Sequence, residues 1–346
     1  MTTLQSPSQA QAPQAPAFTA ADAADLLVRA VVEADPDQLS EQHWQNALLG
    51  PLRDFLSRPG REFRGAIVES AWTIAGRDLC DMPVTLPMAL ELLHAGSLII
   101  DDIQDESEMR RGQPALHHVY GTPVALNTGN WLYFAASTLI DDIDVPSQTK
   151  LALLRRLRWA VLRCHQGQAL DLTARISTLA PEDIHPVVSA TTMLKTASLV
   201  ELAASLGATA AGAPAPLIKA LEGFAQELGM ALQTLDDLSG VLTDRRMHKG
   251  DEDLRGGRPT WVWVLAAKNS SQSSLAELLR MSADVENGAA AGPLRDRLRE
   301  RLPTDAKAQV CRRLRDAHHA LCAKVPSSTG LAALQSVIER LEKSYV

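Results

Sequence analysis

The chain has 346 residues, of which 46% are hydrophobic and 22% charged, as in globular proteins with a substantial core. Its formal net charge of −7 argues against a general nucleic-acid-binding protein, because neutralising phosphates requires a basic surface. No apolar stretch reaches the roughly 20 residues of a transmembrane span, and we expect none. The start of the chain lacks signal-peptide features. The four cysteines show no paired spacing, which predicts free thiols and a cytoplasmic location.

Helical spacing of apolar residues dominates the chain after a polar beginning. Residues 1–17 are rich in Gln, Ala, Pro and Ser and are predicted to be a disordered tail. Leu27, Ala30 and Val31 then begin an i, i+3, i+4 pattern. We find no alternating strand pattern and no Asn-Gly hairpin signal. The chain is therefore predicted to be all-α, with one large helical domain over residues 18–346.

The stretch SLIIDDIQDESEMRRG combines acids and arginines after an apolar run. On a helix, Asp101 and Asp105 lie one turn apart on one face, with Asp102 about 100° away. Mg²⁺ prefers such oxygen ligands and completes its shell with water and phosphate. Arg110 and Arg111 follow, and guanidinium groups bind phosphate oxygens in bidentate fashion. This combination indicates chemistry on a diphosphate.

A second acidic cluster provides an internal control. Asp141, Asp142 and Asp144 also follow an apolar run, but Val145 stands where the i, i+4 partner of Asp141 would be. Pro146 comes next and favours the end of the helix. We interpret this cluster as a solvated helix terminus.

A third acidic cluster, a pair of aspartates, lies near the end of the apolar stretch MALQTLDDLSG. Asp236 and Asp237 follow Gln233 by three and four residues, and helices that face each other with Asp101 and Asp236 would form a two-sided metal site. Further polar residues that suit an anionic substrate lie elsewhere in the chain: Arg61, Arg64, His94, Lys195, Thr196, Lys249 and Arg258.

These motifs resemble those of the trans-isoprenyl diphosphate synthases, the polyprenyl synthetases. ELLHAGSLIIDDIQDESEMRRGQPALHHVYG resembles their first aspartate-rich motif, and HQGQALDL, MLKTASL, LQTLDDLSG and KGDEDLRGGRPTW match later signatures in order. The resemblance covers roughly residues 55–265. It implies a helical bundle around a central active-site cavity, a homodimer, and Mg²⁺-dependent condensation of isopentenyl diphosphate with an allylic diphosphate.

The resemblance also implies roles for individual residues. Asp101, Asp105 and Asp236 would bind about three Mg²⁺ ions, supported by Asp102 and Asp237. The isopentenyl diphosphate site would comprise Arg61, Arg64, His94 and Arg111. The allylic diphosphate site would comprise Arg110, Lys195, Thr196, Gln233, Lys249 and Arg258. Of these, Lys195, Thr196 and Gln233 would join the three metal-binding aspartates as catalytic residues.

Three positions depart from the family pattern. Arg61 and Arg258 stand where the family usually has lysine, which keeps the charge but changes hydrogen-bond geometry. Gly240 stands where many members carry a third aspartate in the second motif. We expect this departure to affect the affinity of the second motif for metal.

The length of the product depends on residues near the first motif. Gly96 and Ser97 are small where aromatic residues stop growth at C15 in the family, so we expect a longer product. Tyr133 and Phe134 resemble the pair that closes the tunnel in C20 synthases, with Trp131 and His165 beside them. The alternative is that these aromatic side chains simply fill the core. The predicted product is geranylgeranyl diphosphate (C20), with C15 and C25 or longer as alternatives.

Two other classes of protein share parts of this pattern. A class I terpene cyclase has the helical cavity and DDxxD motif but usually pairs it with an Asn/Ser/Glu triad. A non-catalytic regulatory subunit characteristically loses its aspartate motifs, whereas this chain keeps both.

Overall fold

The computed structural model describes residues 19, 22, 24–28, 41–59 and 63–345. The predicted tail at residues 1–17 and the predicted substrate ligand Arg61 lie outside the described residues, so both remain predictions.

Helices dominate the described chain and confirm the predicted all-α class. Helices α1 to α16 run in order over Glu41–Trp44, Gly50–Ser57, Phe63–Ile74, Thr85–Gln104, Leu116–Tyr120, Thr122–Asp141, Ser147–Thr173, Ile184–Thr191, Ser198–Ala210, Ala215–Leu242, Met247–Arg255, Trp261–Lys268, Gln272–Glu286, Ala291–Arg299, Ala306–Cys322 and Thr329–Tyr345. Gln45–Leu49 and Thr192–Ala197 are π-helical, and Leu79–Asp81, Ile176–Thr178, Pro181–Asp183 and Asp244–Arg246 are 3₁₀ turns.

A short β-hairpin interrupts the helices directly after the first aspartate motif. Strand β1 (Met109–Arg110) pairs antiparallel with β2 (Gln113–Pro114). The two turn residues, Arg111 and Gly112, have φ values of 54° and 79°, as a type I′ turn requires. The sequence did not predict this hairpin, because its strands have two residues each and Arg-Gly is not among the strong turn signals.

Helices α4 and α6 approach each other closely at two glycines. A Cβ atom on Gly96 would lie 2.7 Å from the carbonyl oxygen of Gly129, and one on Gly129 would lie 2.8 Å from Cδ1 of Ile100. The direction of this Cβ corrects the predicted role of Gly96. Its small size is required by packing against α6, so Gly96 is not a free position in a tunnel wall.

The buried apolar side chains form two clusters that meet on α10. Leu235 belongs to the larger cluster, built from the N-terminal helices with α9, α10, α15 and α16. Leu238 belongs to the second cluster, built around α8 and α11 to α14. Asp236 and Asp237 lie between these two fully buried leucines. Since burying a leucine contributes about 1.5–3 kcal/mol, the position of this pair is strongly fixed.

One helical stretch, Pro181–Ala210, is long and apolar enough to cross a membrane by length and composition. Half of its most apolar window is buried inside the protein, as in the core helices of soluble proteins. This test alone is weak evidence for a span, and the absence of a span stays a prediction.

Candidate active site

The end of α4 gathers carboxylates that are paired with cations from distant helices. Lys195 Nζ lies 2.9 Å from Oδ1 of Asp101 and 2.6 Å from Oδ2 of Asp171. Arg258 forms an ion pair with Asp105. A helix C-terminus disfavours negative charge, and these cations offset that cost. The structure thus brings together five charged groups from four separate segments.

The two predicted metal ligands of this motif have opposite pKa shifts. Burial opposes ionisation of Asp101, but Lys195 and then Arg110 outweigh it and lower the pKa. Burial raises the pKa of Asp105, and the charge of Asp101 raises it further, despite Arg258. The shifts differ because cations dominate at Asp101, whereas at Asp105 the like charge of Asp101 adds to the effect of burial.

Asp102 binds Arg110, and its role differs from those of Asp101 and Asp105. Its side chain is 1% exposed, and Arg110 Nε donates to its Oδ1 at 2.7 Å. The same guanidinium reaches Asp101 at 3.6 Å. Asp102 therefore fixes an arginine that is predicted to bind the allylic diphosphate, and its supporting role in metal binding stays a prediction.

Arg111 is held in a left-handed conformation by contacts with Phe55 on α2 and with Arg58, the residue that follows α2. Its NH1 donates to the carbonyl of Arg58 at 3.2 Å, and its guanidinium lies 5.4 Å from the Phe55 ring centroid. The buried Arg58 in turn donates to the Pro114 carbonyl at 2.8 Å. Such a conformation costs about 1–3 kcal/mol for a non-glycine residue, and these contacts offset it. Arg58 was not predicted as part of the site.

Arg64 and His94 form a basic pocket beside Arg111. Among the described residues, Nε of Arg64 and Nδ1 of His94 are buried without a hydrogen-bond partner. Burial lowers the pKa of His94 well below its usual value, and the charges of Arg64 and Arg111 lower it further. These unpartnered nitrogens are free to bind an anion, and their role in an isopentenyl diphosphate site stays a prediction.

The carboxylate of Asp236, in the second acidic site, is also paired with cations. Arg246 and Lys249 form ion pairs with Asp236, and Tyr345 OH donates to its Oδ1 at 3.0 Å. Burial opposes the charge on Asp236, but Lys249 and Arg246 outweigh it and lower the pKa. The lysine was predicted, whereas Arg246 and Tyr345 were not.

A hydrogen-bonded chain connects Thr196, Gln233 and Asp237. Thr196 Oγ1 donates to Gln233 Oε1 at 2.8 Å, and Gln233 Nε2 donates to Asp237 Oδ1 at 2.8 Å. The Trp261 backbone N–H donates to the other carboxylate oxygen at 2.9 Å. Burial raises the pKa of Asp237 to about 7. Both carboxylate oxygens of Asp237 thus accept hydrogen bonds from the protein, and its supporting role stays a prediction.

The π-helical segment Thr192–Ala197 positions Lys195 and Thr196. It is packed against two glycines: a Cβ on Gly167 would lie 2.5 Å from Lys195 N, and one on Gly229 would lie 2.5 Å from Ala197 Cα. π-helical turns inside α-helices are frequent at functional sites.

Arg258 connects the two acidic sites. Besides Asp105, it lies 3.8 Å from Asp253, whose pKa is raised to about 6 by burial, against the charges of Lys249 and Arg258. The charge of Asp236 raises that pKa further. The two predicted aspartate sites therefore belong to one network of alternating charges.

Gly240 has a packing reason in this chain. A Cβ atom there would lie 3.0 Å from the Cα of Gly250, and one on Gly250 would lie 2.1 Å from the Gly240 carbonyl oxygen. Helices α10 and α11 thus cross in contact, and a third aspartate at position 240 requires α11 to shift.

The predicted chain-length residues separate into inner and outer positions. The Tyr133 ring lies 5.5 Å from the His165 ring, and burial raises the pKa of Tyr133, with smaller effects from Cys164 and Asp101. Phe134 is 74% exposed, so the single chain does not enclose this side chain as the floor of a tunnel would be enclosed. Ser97 is half-buried and donates to the His94 carbonyl at 2.8 Å.

Other site residues were missed by the sequence reasoning. Gln168 donates to Asp101 at 3.0 Å, and Asp171 binds Lys195. Both belong to the quoted stretch HQGQALDL, where two polar side chains three residues apart share one helix face. That spacing was the available signal.

The donor chemistry fits Mg²⁺ bound together with a diphosphate. Among the described residues, no group of three His, Cys, Asp or Glu side chains is arranged to hold a metal by itself. Mg²⁺ is usually bound through one or two carboxylates with substrate phosphates completing the shell. Asp101, Asp105 and Asp236 supply hard oxygen donors of this kind.

Comparisons with known proteins show the family of the chain. The polyprenyl synthetase family model matches residues 45–291. A geranylgeranyl pyrophosphate synthase of Apiospora sacchari is 31% identical over 73% of this chain and 74% of its own length. A geranylfarnesyl diphosphate synthase of Aeropyrum pernix is 29% identical over 76% of this chain and 81% of its own.

A solved structure shares the fold. The geranylgeranyl pyrophosphate synthase of Corynebacterium glutamicum, complexed with isoprenyl diphosphate and magnesium, aligns with a TM-score of 0.74 and 22% identity, covering 93% of this chain and 97% of that chain. With the family model matching most of the sequence and the charged network in place, the chain belongs to the polyprenyl synthetase family and is a trans-prenyltransferase.

Proposed function

We propose that this protein condenses isopentenyl diphosphate with allylic diphosphates and releases geranylgeranyl diphosphate as its main product. The observation that carries the proposal is the charged network in which Lys195, Arg258 and Lys249 neutralise Asp101, Asp105 and Asp236. A diphosphate with Mg²⁺ can replace these pairs, since cations then face phosphate oxygens and carboxylates face the metal.

Asp101, Asp105 and Asp236 would hold about three Mg²⁺ ions, which supply the positive charge that weakens the allylic C–O bond. Lys195 and Arg258 then turn from carboxylates to the diphosphate and stabilise the charge that develops on it. The carbonyl of Gln233, oriented by Thr196, favours the allylic cation.

The condensation balances without a further reactant. The allylic C–O bond breaks with its electron pair on the leaving diphosphate. The double bond of isopentenyl diphosphate supplies the pair for the new C–C bond, and a proton is lost to restore a double bond. We assign that proton to the released diphosphate, which stays beside Arg110 and Lys195.

The isopentenyl diphosphate site is assigned to Arg64, His94 and Arg111, together with Arg61. The unpartnered nitrogens of Arg64 and His94 support an anion in that pocket. A C20 product is supported by relatives that are geranylgeranyl pyrophosphate synthases and by the small side chain of Ser97, which leaves the growing product room toward Tyr133.

The protein is further proposed to act as a cytoplasmic homodimer. The four cysteines are free, which agrees with a reducing compartment. Helices α6 and α7 expose large apolar side chains that a second copy would cover: Leu126, Phe134, Leu151, Trp159 and Leu162. Light scattering tests the assembly, with Trp159→Asp expected to shift it toward monomer.

The activity is tested by supplying Mg²⁺, isopentenyl diphosphate and each of the C5, C10 and C15 allylic diphosphates, and by identifying products by mass spectrometry. We expect Mg²⁺-dependent C20 diphosphate. A C15 or a C25 product would revise the chain length. Hydrocarbon formed from an allylic diphosphate alone would indicate a cyclase, and no consumption of isopentenyl diphosphate would overturn the proposal.

A further inference from the structure

Tyr345 on α16 contacts the second acidic site, although it lies 109 residues from Asp236 in sequence. Its side chain is buried, with 6% exposed. Three contacts fix it. The phenol donates to Asp236 Oδ1 at 3.0 Å, the Arg246 guanidinium lies 4.3 Å from its ring centroid, and Lys307 Nζ donates to its backbone carbonyl at 2.6 Å.

The donors around Asp236 differ in how they respond to a divalent cation. Arg246 and Lys249 are positively charged, so a metal on Asp236 repels them while a diphosphate attracts them. Tyr345 is a neutral donor and is not repelled. A carboxylate oxygen has lone pairs for both a metal and a hydrogen bond, so the phenol can keep its position.

We propose that Tyr345 is a positioning residue for Asp236, orienting the carboxylate of the second aspartate motif when metal and diphosphate bind. Hydrogen bonds to metal-binding carboxylates fix their orientation, and losing one typically weakens metal binding by about 10- to 100-fold. The inference rests on the proposed role of Asp236 as a metal ligand. It adds a residue from outside the family motifs to that site.

The test measures binding of Mn²⁺ in the presence of inorganic diphosphate, without turnover, by electron paramagnetic resonance of free Mn²⁺. Tyr345→Phe removes the hydroxyl and keeps the ring beneath Arg246. We expect about 10-fold weaker Mn²⁺ binding and an unchanged melting temperature. Ser344→Ala is the matched control, since Ser344 Oγ donates to the Arg340 carbonyl and is exposed.

A double-mutant cycle shows whether the effect acts through Asp236. In an Asp236→Ala background, Tyr345→Phe should cause no further loss. Unchanged Mn²⁺ binding by Tyr345→Phe, an equal loss in Ser344→Ala, or a full additional loss in the Asp236→Ala background would each overturn the inference. Absence of any Asp236-dependent Mn²⁺ binding in the wild type would instead overturn the proposed metal role itself.

Discussion

Helices α4 and α6 both have 20 residues, and aspartates cluster at the C-terminal end of each, but the surroundings of the two clusters differ. At the end of α4, Asp101 and Asp105 meet Lys195 and Arg258. At the end of α6, Asp141, Asp142 and Asp144 are all exposed, and Lys150 donates to a backbone carbonyl of Asp141. Acid content alone therefore does not make a metal site. What distinguishes the end of α4, the proposed metal site, is that cations from other segments pair with its carboxylates.

Among the substitutions that test this comparison, Asp101→Ala should have the largest effect on turnover. The change removes an oxygen ligand and leaves Lys195 paired with Asp171 alone, so diphosphate charge is less well compensated. We expect turnover to fall by about 10²-fold or more, as with loss of one preorganised electrostatic group. Steady-state incorporation of isopentenyl diphosphate at saturating Mg²⁺ measures it.

Asp141→Ala is the matched control, because it removes the corresponding carboxylate from the other helix end. Surface substitutions away from specific contacts change stability by about 0.5 kcal/mol or less, and activity should stay within about twofold. Near-normal turnover by Asp101→Ala, or a comparable loss in Asp141→Ala, would contradict the distinction between the two ends.

The difference between the two ends was largely predictable from sequence. The i, i+4 pair and the two arginines marked the first cluster, while Val145 and Pro146 marked the other as a terminus. The helical class also followed from apolar spacing. The hairpin around Arg111 did not, because a type I′ turn with an arginine at positive φ is stable only through the contacts of Arg58 and Phe55.

Other site features depend on tertiary contacts that no local pattern encodes. Tyr345 lies on the buried face of α16 and Arg246 lies in a 3₁₀ turn, and only the fold brings both to Asp236. Likewise, Gly96 looked like a short side chain in a tunnel wall, although its Cβ direction places it against Gly129. Local sequence gives residue type and spacing, but direction depends on the partner helix.

The basic side chains of the site should divide into two sets. Arg64→Gln should raise KM for isopentenyl diphosphate by about 10-fold or more, the scale of a lost hydrogen bond to a charged group, with a smaller change for the allylic substrate. Lys249→Gln should do the reverse, since Lys249 pairs with Asp236. Titrating one substrate while saturating the other separates the constants. If Arg64→Gln raises only KM for the allylic substrate, the two sites have been exchanged in this assignment.

The helix crossing at Gly240 can be tested with a matched glycine on the same helix. Gly240→Ala should lower the free energy of unfolding by about 1–3 kcal/mol, because its Cβ meets Gly250 on α11 and overpacking has that cost. Gly223→Ala should raise it by about 0.5–1 kcal/mol, since nothing lies within 4 Å of its added Cβ. Urea denaturation measures both. Equal effects would show that Gly240 is not constrained by α11.

The smallest effects concern product length, and they distinguish two neighbours on α6. Tyr133 lies beside His165 and close enough to Asp101 to be affected by its charge, so Tyr133→Ala should lengthen the product by at least one isoprene unit. Phe134 is 74% exposed, so Phe134→Ala should leave the product unchanged.

Ser97→Phe should shorten the product toward C15, whereas Gly96→Phe would disrupt packing against Gly129 and does not report on the tunnel. Mass spectrometry of the prenyl alcohols after phosphatase treatment gives the chain lengths. Lengthening by Phe134→Ala equal to that by Tyr133→Ala would place Phe134 in the tunnel floor.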